Sequence, residues 1–465
     1  MIIQTHILQK AIDAALSTGA DFADIFVEDT YSSNLTVLNS RPDKAIVGQL
    51  YGAGIRVVFG TEVIYVTTSD LSEKGLVKAA LIAANSQTGD PSKIITPIHL
   101  HNPNQFDSIH TFGDKPWEIN RDKKMAWLNS ADQHARSLST HVTQLEAGLN
   151  EKFQKVQIVN SRGVSVYDER AYSRFNVETF VETNGTKESS GENHGHMGTS
   201  EIFDRFDIKA MTADTVERAL LLTKSGFAPA GEMPVVLANG FGGVILHEAC
   251  GHGLETTSVQ TGDSVFADKM GLKIGNDCLT AIDDGTIKNE WGSLNFDDEG
   301  MPTKKTTLIE NGVVKSFLVD QMGSLKTGFE ATGSGRKQSY KYAPASRMRN
   351  TFIAPGKDKF EDMIKDVDYG LFAKRMGGGS VNTSTGDYNF QVREAYVIRK
   401  GRIEEAVKGA CLIGRGIETL GKITKVGSEM KIATGMCGSI SGSIPAGVGQ
   451  PEVLVSSLMV GGKAK

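Results

Sequence analysis

The sequence predicts an α+β protein: an N-terminal α/β-layered domain over residues 1–228, then a mainly antiparallel β domain over 229–465 that carries one helix with two histidines. Three observations predict it. Before residue 226, helical and strand periodicities alternate in blocks. After it, short β-prone runs are separated by glycine, and Gly226-Phe227-Ala228-Pro229-Ala230-Gly231 punctuates the change of texture. The length of 465 residues, against ~100–200 per domain, calls for two or three sizeable cores. Glycine stands at 51 residues and proline at only 12, a balance that points to β-turns and close backbone approaches rather than low complexity.

Each element has its own signal. Ile7, Leu8, Ala11, Ile12, Ala15 and Leu16 share one stripe at helical spacing and Gly19 ends the pattern, so residues 7–18 read as an amphipathic helix. Strands are expected over 24–28, 34–38, 52–59 and 62–67, the last two joined at Gly60, followed by a helix over 71–84. Residues 91–116 hold four prolines and little periodicity, the mark of a long connection. A helix over 117–139 leads into a β-meander of 143–149, 155–160 and 164–167, with Ser161-Arg162-Gly163 as a turn. Alternation continues over 173–182, and residues 207–225 read as a helix. Beyond the boundary one helix follows Gly243 and another falls near 360–370.

Charge and cysteine usage exclude several classes. Lys and Arg total 50 against 55 Asp and Glu, a net charge of −5 with no block of one sign, so no nucleic-acid-binding face is expected. No stretch approaches the ~20 apolar residues a bilayer requires, and no basic-then-apolar leader opens the chain. The four cysteines, Cys250, Cys278, Cys411 and Cys437, form no C-x-x-C pair. A cytoplasmic protein in a reducing compartment, without membrane contact, is the expectation.

Chemistry concentrates where an apolar run delivers His247-Glu248-Ala249-Cys250-Gly251-His252. Two histidines around a glutamate resemble the zincin pattern, in which the histidines hold zinc and the Glu activates water. Here the histidines are five apart, ~140° around a regular helix, whereas four apart would be ~40°. A regular helix cannot chelate with both. Either the helix ends so that Gly251 carries His252 back, or one turn widens to i→i+5 bonding. The plainer reading makes His247 a core histidine and His252 a helix C-cap. A hydrolytic zinc site needs a third ligand, for which Cys250, Cys437 and a distant carboxylate are candidates. His194 and His196, alternate residues of a polar glycine-rich stretch, form a rival pair that fits a solvated loop or edge strand better. Asp283-Asp284-Gly285 and Asp297-Asp298-Glu299-Gly300 lack calcium-loop spacing and read as turn chemistry. Thr332–Arg336 and Gly377–Ser380 fit either ordinary turns or loops that admit a substrate backbone.

Leu246-His247-Glu248-Ala249-Cys250-Gly251-His252-Gly253-Leu254-Glu255 is similar to the signature of the TldD/PmbA family of metallopeptidases. Asp283–Gly285, Asp297–Thr303, Thr332–Arg336, Arg347–Thr351 and Gly447–Pro451 resemble further family blocks in order. Gly19–Asp21 and Gly52–Arg56 resemble that family's first domain, so the likeness spans nearly the whole chain. The resemblance implies a cytoplasmic zinc peptidase acting on unfolded or disordered peptides, with one zinc ion per catalytic subunit. It implies His247, His252 and Cys437 as zinc ligands and Glu248 as the base that activates a zinc-bound water. It also implies a dimer enclosing the site, either a homodimer or a heterodimer with a degenerate paralogue. Substrate-binding residues stay unassigned, because Ser439-Ile440-Ser441-Gly442 follows Cys437-Gly438 where many members are expected to carry lysine and glutamine. A reading from another class is a non-catalytic peptide-binding subunit or modulator, against which Glu248 argues.

Overall fold

Six antiparallel strands, in the order β3-β2-β1-β4-β5-β6, form the first sheet: β1 Phe22–Leu38, β2 Arg41–Phe59, β3 Glu62–Thr68, β4 Val142–Asn160, β5 Ser165–Thr183 and β6 Thr186–His196. The computed structural model describes residues 1–87, 98–382 and 384–462. Residues 91–97 of the expected connection lie outside them, and 98–116 hold no helix or strand. Four of these strands are longer than the sequence pattern implies: β2 begins well before the expected 52–59, and β5 unites the runs expected at 164–167 and 173–182. β1 unites the runs expected at 24–28 and 34–38, and β4 unites those at 143–149 and 155–160. Polar residues between the runs stay in the ladder because β1 and β4 are paired on both sides, where every peptide group finds a partner. Asn39 and Ser40, both at positive φ, close the β1–β2 hairpin in two residues, and Asn184-Gly185 closes β5–β6 likewise.

Alternation along β1 decides what each face meets. Ile25 and Val27 pack beneath helices α1 Thr5–Leu16 and α2 Glu73–Ala84. Leu35 and Val37 pack beneath α3 Arg121–Leu138 and α4 Ile208–Lys224. The four expected helices thus cover one face of the sheet. On the other face Asp24, Phe26 and Glu28 meet the second half of the chain: the Tyr340 N–H donates to Glu28 Oε2 at 2.8 Å, and the Tyr340 ring packs on Phe26.

Charged residues occupy this junction. Arg56, 1% exposed, pairs with Asp24 and lies 2.8 Å from Glu299. Arg170 pairs with Asp298 at 2.5 Å and lies 3.5 Å from Asp168. Asp297 does turn chemistry, accepting the N–H groups of Glu299, Met301 and Gly335. Its neighbours Asp298 and Glu299 reach instead into the first sheet. Asp283 departs from the turn expectation: it lies in the buried strand Ala281–Asp284 and holds Arg349 at 2.6 Å, both side chains being fully buried.

Two larger sheets, mostly antiparallel, and a two-stranded ribbon of Gly335–Arg336 with Ala345–Ser346 make up the second half. One has six strands in the order Val313–Val314, Lys305–Glu310, Ala281–Asp284, Asn350–Ile353, Gly442–Gln450, Lys431–Ser439. In the other, Tyr369–Val381, Gly231–Leu237, Val453–Gly461, Ala410–Arg415 and Asp387–Arg399 follow one another, and the last pairs back to the first. That ring is a small barrel. The helical segment after Gly240 packs into the core between the two, through Val244, Ile245, Leu246, Ala249, Cys250 and Leu254. Gly243 permits its approach, since a Cβ there would lie 2.4 Å from the Gly449 carbonyl oxygen. Near 360–370 the helix is short, Phe360–Lys365. No helix among the described residues is long and apolar enough to cross a membrane.

Removing Arg56 would leave Asp24 and Glu299 buried without their cation. Arg56→Ala is expected to cost about 3–5 kcal/mol of unfolding free energy in a denaturant titration, whereas a loss below about 1 kcal/mol would show that the junction does not depend on this pair.

Candidate metal centre

The segment that presents the two histidines is not a regular helix. A 3₁₀ turn at Phe241–Gly243 leads into an α turn at Val244–Leu246, a π turn at His247–Gly251 and a second 3₁₀ turn at His252–Leu254. The His252 N–H donates to the His247 carbonyl, an i→i+5 bond. The widened turn is therefore the device that brings residues five apart toward one side. Gly251 sits inside it with no room for a side chain, because a Cβ would meet Met348 Sδ at 2.1 Å.

Opposite the turn stands the edge strand Lys431–Ser439. Its Cys437 Sγ lies 3.4 Å from His252 Nε2. The His247 and His252 rings are 5.5 Å apart at 85°, and one ligand atom from each of His247, His252 and Cys437 lies within 4.8 Å of the others. All three residues are buried. His252 Nδ1 is 3.0 Å from Glu255 Oε2, so the carboxylate fixes a proton on that nitrogen and leaves Nε2 to face Cys437. Glu255 also accepts the Met348 N–H at 3.2 Å. Arg347, fully buried, donates to the Cys437 carbonyl at 2.5 Å, to Ser441 Oγ at 2.8 Å and to the Gly442 carbonyl at 2.9 Å, which fixes the hairpin that carries the cysteine. Glu248 is the open member: its side chain is 27% exposed, with Oε2 3.6 Å from His252 Nε2.

Electrostatics tie these groups together. Burial pushes the Cys437 thiol up, but the His247 and His252 imidazoles outweigh it and hold the thiol well below its ordinary value. Burial lowers the His252 pKa, yet Glu255 and Cys437 carry it well above the usual imidazole value, and His247 is raised by Cys437 and Glu248 against the same burial. Two nitrogens and one sulfur suit a borderline-soft divalent metal, and the 3.4 Å separation is close to the ~3.6 Å edge of a tetrahedron with zinc–nitrogen and zinc–sulfur bonds of ~2.1 and ~2.3 Å. The residues present fit such an ion.

Other candidates lie elsewhere. Cys250 points into the apolar core, where burial pushes its thiol up. His194 stacks on Phe206 at 4.7 Å and His196 bonds Arg205, so neither forms a ligand pair. Both belong to β6, the edge-strand alternative to a loop. Among the described residues His247, His252 and Cys437 form the one group of three such ligand atoms. Sequence reasoning missed Glu255 and Arg347. Glu255 stood inside the motif, three residues after His252, where a carboxylate partner for a ligating histidine can be sought; nothing local marks Arg347.

The chain matches three family descriptions: PmbA/TldA metallopeptidase domain 1 over residues 23–86, the central domain over 114–223 and the C-terminal domain over 230–462. It is 33% identical over 468 residues to a metalloprotease TldD homolog from Haemophilus influenzae, covering 99% of this chain and 97% of that one. The chain belongs to the PmbA/TldD metallopeptidase family. Another PmbA/TldD relative, named a zinc metalloprotease TldD homolog, comes from Saccharolobus solfataricus and is 26% identical, covering 97% of this chain and 99% of its own. The fold matches crystalline TldE from Thermococcus kodakarensis with a TM-score of 0.77 at 17% identity, covering 98% and 99% of the two chains.

Cys437→Ala is expected to lower zinc affinity by more than the ~10–100-fold typical of losing an outer partner, and Cys250→Ala to leave it nearly unchanged, in a competition titration with a chromogenic chelator. The reverse order would move the sulfur ligand to Cys250.

Proposed function

We propose that this PmbA/TldD protein is a zinc-dependent peptidase in which His247, His252 and Cys437 hold the metal and Glu248 is the catalytic base. The observation that carries the reading is the approach of those three ligand atoms to within 4.8 Å, with the Glu248 carboxylate on their open side. A bound zinc would supply Lewis-acid polarisation of the scissile carbonyl and a more acidic water. Glu248 takes the proton of the attacking water at its carboxylate and passes it to the leaving amine. Its exposure suits that task, since both water and substrate must reach it. Glu255 keeps the His252 ring oriented, and Arg347 keeps the Cys437 hairpin in place.

Substrates on this reading are extended peptides. Lys431–Ser439 is the edge of its sheet and carries Cys437, so a chain added alongside it through backbone hydrogen bonds would pass the site. Folded domains have those groups already paired. The protein works in the cytoplasm, consistent with four free cysteines, as a homodimer or with a degenerate paralogue.

Two experiments test this. Glu248→Gln is expected to retain metal, measured by elemental analysis, while peptide turnover falls about 10²–10⁴-fold and a chelator abolishes turnover by the parent; equal turnover by variant and parent would remove Glu248 from the mechanism. A stably folded protein should resist cleavage while a destabilised variant with the same bonds is cut. Comparable rates under conditions that keep the first folded would end the claim that unfolding gates access.

A further inference from the structure

A cleft of about 800 Å³ opens along the outer side of the same edge strand, between β6, residues 374–378 of the barrel and residues 431–436. Six basic side chains line it against three carboxylates. Of the lining carboxylates, Glu192 is shared between Arg218 and Arg375 and Glu290 lies 3.7 Å from Arg205, while the buried Glu394 behind the wall serves both Lys374 at 2.9 Å and Arg375 at 3.7 Å. Arg174 and Arg393 have no ion-pair partner among the described residues. Arg174 is half-buried on β5, its Nε donating only to the neutral Asn193 Oδ1 at 3.1 Å. Burial pulls its pKa below the usual arginine value, as expected of a cation that no carboxylate neutralises.

The strand register relates the backbone that carries Arg174 to the strand that carries Cys437. Arg174 pairs across the ladder with Gly195, whose N–H donates to Thr434 Oγ1 at 2.6 Å. Thr434 lies three residues before Cys437, about 10 Å along an extended strand. The geometry points to a carboxylate-recognition site in this cleft, with Arg174 and Arg393 selecting peptides that carry an acidic group about three residues from the bond to be cut. The inference deepens the peptidase reading and rests on it for the position of that bond. Lysine-like steering by the exposed bases would give attraction alone; the half-buried, geometrically fixed guanidinium of Arg174 adds directed hydrogen bonds to a carboxylate.

Binding separates this from catalysis. Labelled, C-terminally amidated peptides of about twelve residues, one with glutamates and one with glutamines at the same positions, are titrated by fluorescence anisotropy against Glu248→Gln protein, which leaves them intact. A third arm carries the glutamines with a free C-terminal carboxylate and tells a chain end from a side chain as the acid. The glutamate peptide is expected to bind about tenfold more tightly than its glutamine twin. That ratio should fall toward one in added Arg174→Gln or Arg393→Gln and at about 0.5 M salt. Arg393 is exposed, so its variant tests the idea even if Arg174→Gln fails to fold, which thermal melting would reveal. Equal affinity for all three peptides, or a preference that survives both substitutions, would overturn the proposal. A glutamate preference with no cleavage by the parent would remove the peptidase reading and keep the cleft, whereas cleavage with no preference in binding would do the reverse.

Discussion

One hydrogen bond, from the His252 N–H to the His247 carbonyl, decides whether two imidazoles five residues apart can face a common point. A π turn is less favourable than the α-helix it interrupts, so the surroundings must hold it. They do so with backbone and buried apolar atoms. Gly251 has Met348 where a side chain would start, and Gly416 sits where a Cβ would meet the Ala249 carbonyl at 2.2 Å. Leu246, Ala249, Cys250 and Leu254 are locked in the core beside the turn. Relaxing to a regular helix would rotate one imidazole away and also break this packing, and close-packed interiors resist such shifts.

The first sheet takes part in the site although it carries none of His247, Glu248, His252 and Cys437. It reaches the edge strand through Gly195, which bonds Thr434, and through the Trp291 indole, which packs on Tyr172 and donates to the Gly435 carbonyl at 2.7 Å. An open edge strand invites uncontrolled pairing unless something partly covers it. Here β6 and Trp291 cover part and leave the cleft. The buried ions of Arg56, Arg170, Asp298 and Glu299 give that junction one register, because a charge moved out of place in such a setting would be left uncompensated.

What was legible in the sequence follows from the range of the forces involved. Helices α1 to α4 were readable because stripes such as Leu8, Ile12 and Ala15 state locally which face is buried. The full lengths of β1 and β4 were not, since residues 29–33 and 150–154 are largely polar and are held by neighbouring strands that leave no local trace. His247, Glu248 and His252 announced themselves by type and spacing. The widened turn remained one of two options because the contact of Gly251 with Met348 spans almost a hundred positions of chain. Cys437 stood out only beside its glycines and by family likeness, whereas Arg347 was hidden. The acidic runs were half legible: Asp297 makes the turn that its type suggests, while Asp283, Asp298 and Glu299 find arginines that no spacing rule reveals.

Drawing the sulfur from a strand and the nitrogens from a helix has a mechanical consequence. The strand fixes Cys437 by pairing with Gly442–Gln450 on one side, and its other edge offers backbone groups with a repeat of two residues. A peptide aligned on that edge, as the proposed function has it, can occupy registers two residues apart with the same hydrogen bonds, while a shift of one residue turns its side chains to the opposite face. Backbone pairing alone therefore leaves the choice among registers open. That choice falls to whatever side-chain contact the flanking surface offers, and on the reading proposed above it falls to Arg174, which lines the same cleft as Thr434 and has no carboxylate partner among the described residues, rather than to the atoms that react.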